Sequence, residues 1–221
     1  LIENNNTLSV SYTRNVNIIY NHYPHLDIIH NMIVEIKNNL DKDMESYTNV
    51  KGGMTDWRYF KDKKNGFFVD VGAHDGLNGN NSCFFERSLG WDGICVEPLP
   101  TIYKQLTQNR KSINIEGAID IVNGETSFIS NSGYTEMLSG IEKYYGKRHF
   151  DRRDDEITKK GGITNVIKVK TFTLESIFED NNVKHIDYLS IDVEGGEFVV
   201  IKSIDFTKVF IDIIGFEDNY P

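Results

Sequence analysis

The chain has 221 residues, a formal net charge of −9 and 39% hydrophobic residues. That length fits one α/β domain with an extension, and the balance of apolar and charged residues excludes a wholly disordered chain. An acidic chain lacks the basic face of a duplex-binding module, so nucleic acid is not an expected partner. No apolar run approaches the roughly 20 residues that a membrane span needs.

The residue bias is strong. There are 26 Ile, 22 Asn and only 2 Ala, which points to an A/T-rich coding sequence of viral or AT-rich microbial origin. Cys83 and Cys95 are the only cysteines, too few for a disulfide-stapled chain of this size, so a reducing, cytoplasmic setting is expected. Leu1 opens the chain and no signal-peptide pattern follows it, which reads as a trimmed terminus or a piece of something longer.

Residues 1–24 are polar, without a sustained period, and read as a poorly packed lead-in. Leu26, Ile29, Ile33, Ile36 and Leu40 are spaced 3, 4, 3, 4 and predict a helix over 25–41 with one apolar stripe. A Gly-hinged loop over 49–57 ends in a helix start at Thr55. Residues 1–65 thus read as an N-terminal helical cap, and 66–221 as the main domain.

Gly66 to Gly72 reads as a buried strand running into the turn Ala73-His74-Asp75-Gly76-Leu77-Asn78-Gly79. A helix follows from about Asn81 to Leu89, closed by Gly90. Ile94 to Glu97 is a second strand, stopped by Pro98 and Pro100. A helix from Thr101 to about Arg110 and a third strand over Ile113–Ile119 complete a β-α-β-α-β run, the pattern of a parallel sheet. Thr126–Ser130 and Val166–Lys170 alternate with period two, as antiparallel strands with one wet face do. Between them lies a polar stretch with Lys147, Arg148, His149, Arg152 and Arg153, read as a mobile loop with reach toward an acidic acceptor. Thr173 can cap a helix through Phe178. Ile186–Asp192 is a fourth core strand, followed by a helix after Gly195-Gly196, and Val209–Phe216 is a fifth.

The turn Asp70-x-Gly72-x-x-x-Gly76 follows a strand, where glycines admit a ligand close to the backbone and leave amide N–H groups free for it. A dinucleotide fold prefers Gly-x-Gly-x-x-Gly, but here Ala73 fills the second slot. That spacing favours a cofactor without a pyrophosphate, such as S-adenosylmethionine. Asn81 and Ser82 belong to the same turn-to-helix segment. Glu97 lies 21 residues after Gly76, beside Pro98, where a carboxylate accepts both hydroxyls of a ribose. Ala118 would leave a slot for a flat adenine, with Ile119 as an apolar wall. Asp192, Glu194 and Glu197 place three carboxylates in six residues at a strand's C-terminal end, which is costly unless they are solvated, paired or used. Asp192 should face the cofactor or acceptor and Glu194 should orient an acceptor hydroxyl, while Glu197 fits the first turn of the next helix.

Phe67 through Gly76, Cys83-Phe84-Phe85-Glu86, Leu89-Gly90-Trp91, Val96-Glu97-Pro98, Thr173 through Ile177 and Asp187 through Glu197 together resemble the FkbM-type class I methyltransferases. The resemblance covers residues 66–217. It implies an α/β, Rossmann-like class I methyltransferase fold with a mostly parallel sheet flanked by helices, S-adenosylmethionine as donor, and O-methylation of a small-molecule or glycan acceptor. His74 stands where the family usually shows Asn. The class normally follows the fifth strand with a helix and a β-hairpin, and this sequence ends first. An uncovered strand there would invite pairing with a second chain as a homodimer.

A hydroxyl is a weak acid, so its methylation needs a base or a metal. Asp192 or Glu194 would serve as base. Alternatively, Asp192 with Glu217 and Asp218 would hold Mg²⁺ as hard oxygen ligands from two adjacent strand ends, an order similar to catechol-type methyltransferases. Trp57 and Tyr59 would stack on a sugar face. The competing class is a non-catalytic binding or scaffold protein of the same fold. A dehydrogenase is disfavoured by the Gly spacing.

Overall fold

The computed structural model describes residues 9–13, 16–20, 60 and 63–217. The helix expected over 25–41, the helix start at Thr55, and Trp57 and Tyr59 lie outside the described residues. In chain order the strands are β1 (Ser9–Thr13), β2 (Val16–Tyr20), β3 (Phe67–Val71), β4 (Asp92–Glu97), β5 (Ile113–Glu116), β6 (Ala118–Ile119), β7 (Gly124–Asn131), β8 (Gly140–Ile141), β9 (Thr164–Phe172), β10 (His185–Ile191) and β11 (Phe210–Glu217). The α-helices are α1 (Cys83–Leu89), α2 (Pro100–Asn109), α3 (Lys147–Lys160), α4 (Leu174–Asp180) and α5 (Glu197–Lys202), with 3₁₀ turns over Gly133–Leu138 and Glu142–Tyr144.

The main sheet has the order β1-β2-β11-β10-β3-β4-β5. Five of its strands are parallel, from β11 through β5. β3, β4 and β10 are buried on both faces, as parallel strands under helices are, while the edge strand β5 is partly exposed. Val69, Val71, Ile94 and Val96 pack on one face with Leu174 and Ile177 of α4 and Val200 and Ile201 of α5. Phe68 and Cys95 point to the other, against Phe85 and Leu89 of α1, Leu106 of α2, Trp91 and Phe60. At roughly 25 cal/mol per Å² of apolar surface removed from water, this double face is the main stabilising term.

Helix ends follow the expected chemistry. Thr173 Oγ1 accepts the Ser176 N–H at 3.0 Å. Gly90, left-handed at φ 69°, closes α1 through its N–H to the Phe85 carbonyl.

Three segments differ from the sequence reading. The presumed lead-in contributes a hairpin, β1–β2, in which β2 pairs antiparallel with β11. Its runs Ser9–Thr13 and Val16–Tyr20 are rich in β-branched residues, which favour a pleated, paired surface. The β11 edge, on which the dimer expectation rested, is thereby covered. The third strand is cut at Gly117, whose N–H donates to the Glu97 carbonyl at 3.1 Å. Ala118 and Ile119 then leave for a second sheet, ordered β6-β9-β7-β8. In it the two alternating runs pair antiparallel, Ser127 opposite Lys168. Finally, Lys147–Lys160 is a helix rather than a mobile loop.

Candidate active site

The strand order reverses between β3 and β10, and a crevice opens there at the C-terminal strand ends, where open α/β sheets bind ligands. Gly72 directly follows β3 with φ 86°. A Cβ at this position would lie 1.8 Å from the Asp192 carbonyl oxygen, so the site tolerates only glycine. The expectation of free amides does not hold. The Gly72 and Ala73 N–H groups donate to the Val96 carbonyl at 3.0 and 3.1 Å, and the Gly76 N–H donates to the Ala73 carbonyl. The Leu77 and Asn78 N–H groups donate to Asp75 Oδ1. Helix α1 begins only at Cys83, so the turn offers a ligand a close backbone pass and not a helix N-terminus.

Several expected cofactor residues build this turn instead of lining the crevice. Asp70 is fully buried and accepts from Ser82 Oγ at 2.5 Å and Asn80 Nδ2 at 2.9 Å. Burial pushes its carboxyl up, against those hydrogen bonds and Arg110. The Arg110 guanidinium donates to Asn80 Oδ1, Ser82 Oγ, the Gly76 carbonyl and Glu86. A Cβ on Gly76 would sit 2.5 Å from Arg110 Cγ, which explains the second glycine without any ligand. Asn81 Nδ2 donates to Ser190 Oγ of β10 at 3.2 Å. Arg110 and Asn80 escaped the sequence reading because nothing in their spacing marks them; they meet across 30 residues.

The crevice encloses about 720 Å³ of empty space, part of it open to solvent. Gly72, His74, Glu97, Pro98, Ala118, Ile119 and Asp192 line it, together with Glu136, Met137 and Phe128, which the sequence reading did not single out. Glu97 Oε1 accepts the Leu99 N–H at 2.8 Å and Oε2 accepts the His74 N–H at 3.0 Å. Each carboxylate oxygen has two acceptor sites, so one on each remains for a ligand. Burial pushes the Glu97 carboxyl up to about 7, the two backbone donors and His74 pulling the other way. Ala118 and Ile119 reach the crevice from β6 of the second sheet and not from the third strand of the first. Asp120 beside them is held below the usual carboxylate range by Lys143 at 2.6 Å and the Tyr144 hydroxyl at 2.8 Å, which outweigh its desolvation.

Asp192 is fixed through its backbone, its N–H donating to the Val71 carbonyl at 2.9 Å. Glu194 is two residues further on but does not line the crevice. It is left-handed at φ 55°, and its Oε2 lies 3.7 Å from both His149 Nε2 and Arg152 Nη1 of α3. Burial and Arg152 hold the His149 imidazole below its usual range. Glu197 accepts the Gly195 N–H at 3.0 Å at the start of α5, the ordinary first-turn role.

The Mg²⁺ expectation joins Asp192 to Glu217 and Asp218, but the Glu217 side chain and Asp218 lie outside the described residues. Among the described residues, the metal-type ligands that converge are His185, Asp187 and Asp212. They lie at the opposite end of β10 and β11, where the Lys63 ammonium already pairs with Asp187. Cys83 and Cys95 are both free thiols, and among the described residues no helix is long and apolar enough to cross a membrane.

Residues 70–221 match the family described as the methyltransferase FkbM domain. No curated protein and no solved structure matches the chain.

Proposed function

This chain belongs to the FkbM methyltransferase family, and from that premise we propose that it uses S-adenosylmethionine to methylate a hydroxyl oxygen of a small acceptor, a sugar or glycan unit. The observation that carries the reading is the crevice at the strand-order reversal. There a bare Gly72 backbone, the Glu97 carboxylate and the Ala118–Ile119 wall face one space. These residues fit the cofactor by their chemistry. Gly72 admits a close pass. Glu97 keeps one acceptor site on each oxygen, which suits the two hydroxyls of a ribose. Ala118 and Ile119 offer a flat apolar slot for a base.

When bound, the cofactor supplies a methyl group already activated by its sulfonium. The work left to the protein is alignment and proton removal. Asp192 is the best-supported base, because it alone of the Asp192–Glu194 pair lines the crevice. Glu194 supports the acceptor side at one remove, by tying the loop after β10 to α3. Helix α3 and the second sheet are where acceptor choice would lie.

Calorimetry with S-adenosylmethionine and with NAD tests the cofactor. A screen of sugars and small alcohols, read as methylated product, tests the reaction. Binding of S-adenosylmethionine without any methylated product would favour the scaffold alternative.

A further inference from the structure

The two walls of the crevice touch at one polar contact. His74 lies in the turn after β3, left-handed at φ 50°. Its ring Nε2 lies 3.1 Å from Glu136 Oε1, on the 3₁₀ turn Gly133–Leu138. Both side chains line the crevice.

Building on the cofactor reading above, we infer that Glu136 is a positioning residue for the cofactor: it holds the His74 ring, and through His74 it orients the Glu97 carboxylate toward the ribose. A residue with a Cβ persists in the left-handed region only where its surroundings over-determine it. Here the restraints are the Glu97 carboxylate on the backbone N–H and Glu136 on the ring. That same N–H occupies one acceptor site of Glu97 Oε2, so a rotation of His74 would release the carboxylate from the orientation that leaves its other sites facing the crevice.

Two carboxylates face the ring itself, Asp75 of its own turn, with Oδ1 3.7 Å from Nδ1, and Glu136 opposite, while Glu97 at the end of β4 holds the backbone N–H.

The test is a double-mutant cycle on the full chain, with S-adenosylmethionine and S-adenosylhomocysteine affinities measured by calorimetry. Glu136 is one-third exposed, so Glu136→Gln should fold as the wild type does, and Glu136→Asp serves as a second, charge-retaining variant. Glu136→Gln should weaken binding roughly three- to tenfold. In a His74→Asn background the same substitution should cost less than about twofold. Glu136→Asp should recover part of that affinity only when His74 is present. An equal loss with and without His74, or an unchanged affinity in Glu136→Gln, would overturn the inference. A wild type that binds neither ligand would give a different result, removing the cofactor reading and this inference with it.

Discussion

Asp192 and Gly72 meet where the strand order reverses: a Cβ on residue 72 would fall 1.8 Å from the Asp192 carbonyl oxygen. The bare end of β3 and the backbone of the proposed base are thus one contact. Gly72→Ala must move the loop after β10 and adopt φ 86°, a strain of roughly 1–3 kcal/mol before the clash is counted. The variant is expected to lose both stability in denaturant unfolding and affinity for S-adenosylmethionine. An alanine variant as stable as the parent would contradict this close packing.

As the proposed ribose ligand, Glu97 would link cofactor binding to pH. Its carboxyl is raised from 4.5 to about 7 in the folded protein, so the folded state keeps a proton that the unfolded state releases. Both states are protonated below about pH 4.5 and both ionised well above pH 7. Stability should therefore fall as pH rises through this window, by roughly 3 kcal/mol in all. Glu97→Gln removes the titration, so its unfolding free energy should gain on the wild type between pH 5 and pH 8. Binding should run the other way. Two charge-assisted hydrogen bonds to a diol, each roughly 1.5–3 kcal/mol, need the ionised carboxylate. Cofactor affinity should rise across pH 7, and Glu97→Ala should lower it by at least about tenfold. Flat pH profiles in both experiments would dissociate Glu97 from the ligand.

Asp192→Asn keeps size and removes charge. A positioned base is worth roughly 10²–10⁴-fold in rate, so turnover should collapse while cofactor affinity changes much less. Methyl transfer titrated against cofactor concentration reads the difference. Full rate at saturation would strip Asp192 of the base role.

Arg110 should behave as a structural residue that mimics a binding one. Its guanidinium is buried among Asn80, Ser82, Gly76 and Glu86, and Asp70 shares the same two side chains. Arg110→Ala leaves buried partners unpaired, a loss of roughly 3–5 kcal/mol visible in thermal unfolding. Arg110→Lys should recover little, because one ammonium cannot reproduce the planar fork. A lysine variant with wild-type stability would show that charge alone suffices.

The sequence by itself determined the parallel core and the location of the crevice. Local rules suffice there. Mostly apolar short runs bounded by turn residues, such as Phe67–Val71 and His185–Ile191, read as strands buried on two faces, and a glycine directly after a strand marks a backbone approach. For the same reason the N-cap at Thr173 and the C-cap at Gly90 were legible, since each is set within a few residues of chain.

Tertiary structure alone decided which of the turn's residues face the crevice and which support it. Asp70, Gly76, Asn81 and Ser82 are as polar or as small as Gly72, His74 and Glu97. Their roles diverge because Arg110, at the end of α2, fills the space beneath the turn, and because Ser190 of β10 holds Asn81. The same is true of Glu136, which reaches His74 across 62 residues. It holds as well for the hairpin β1–β2, which finds its partner in β11 near the other end of the chain. Spacing records neighbours along the chain, whereas burial and long-range pairing assign the donor, the acceptor and the ligand-facing side.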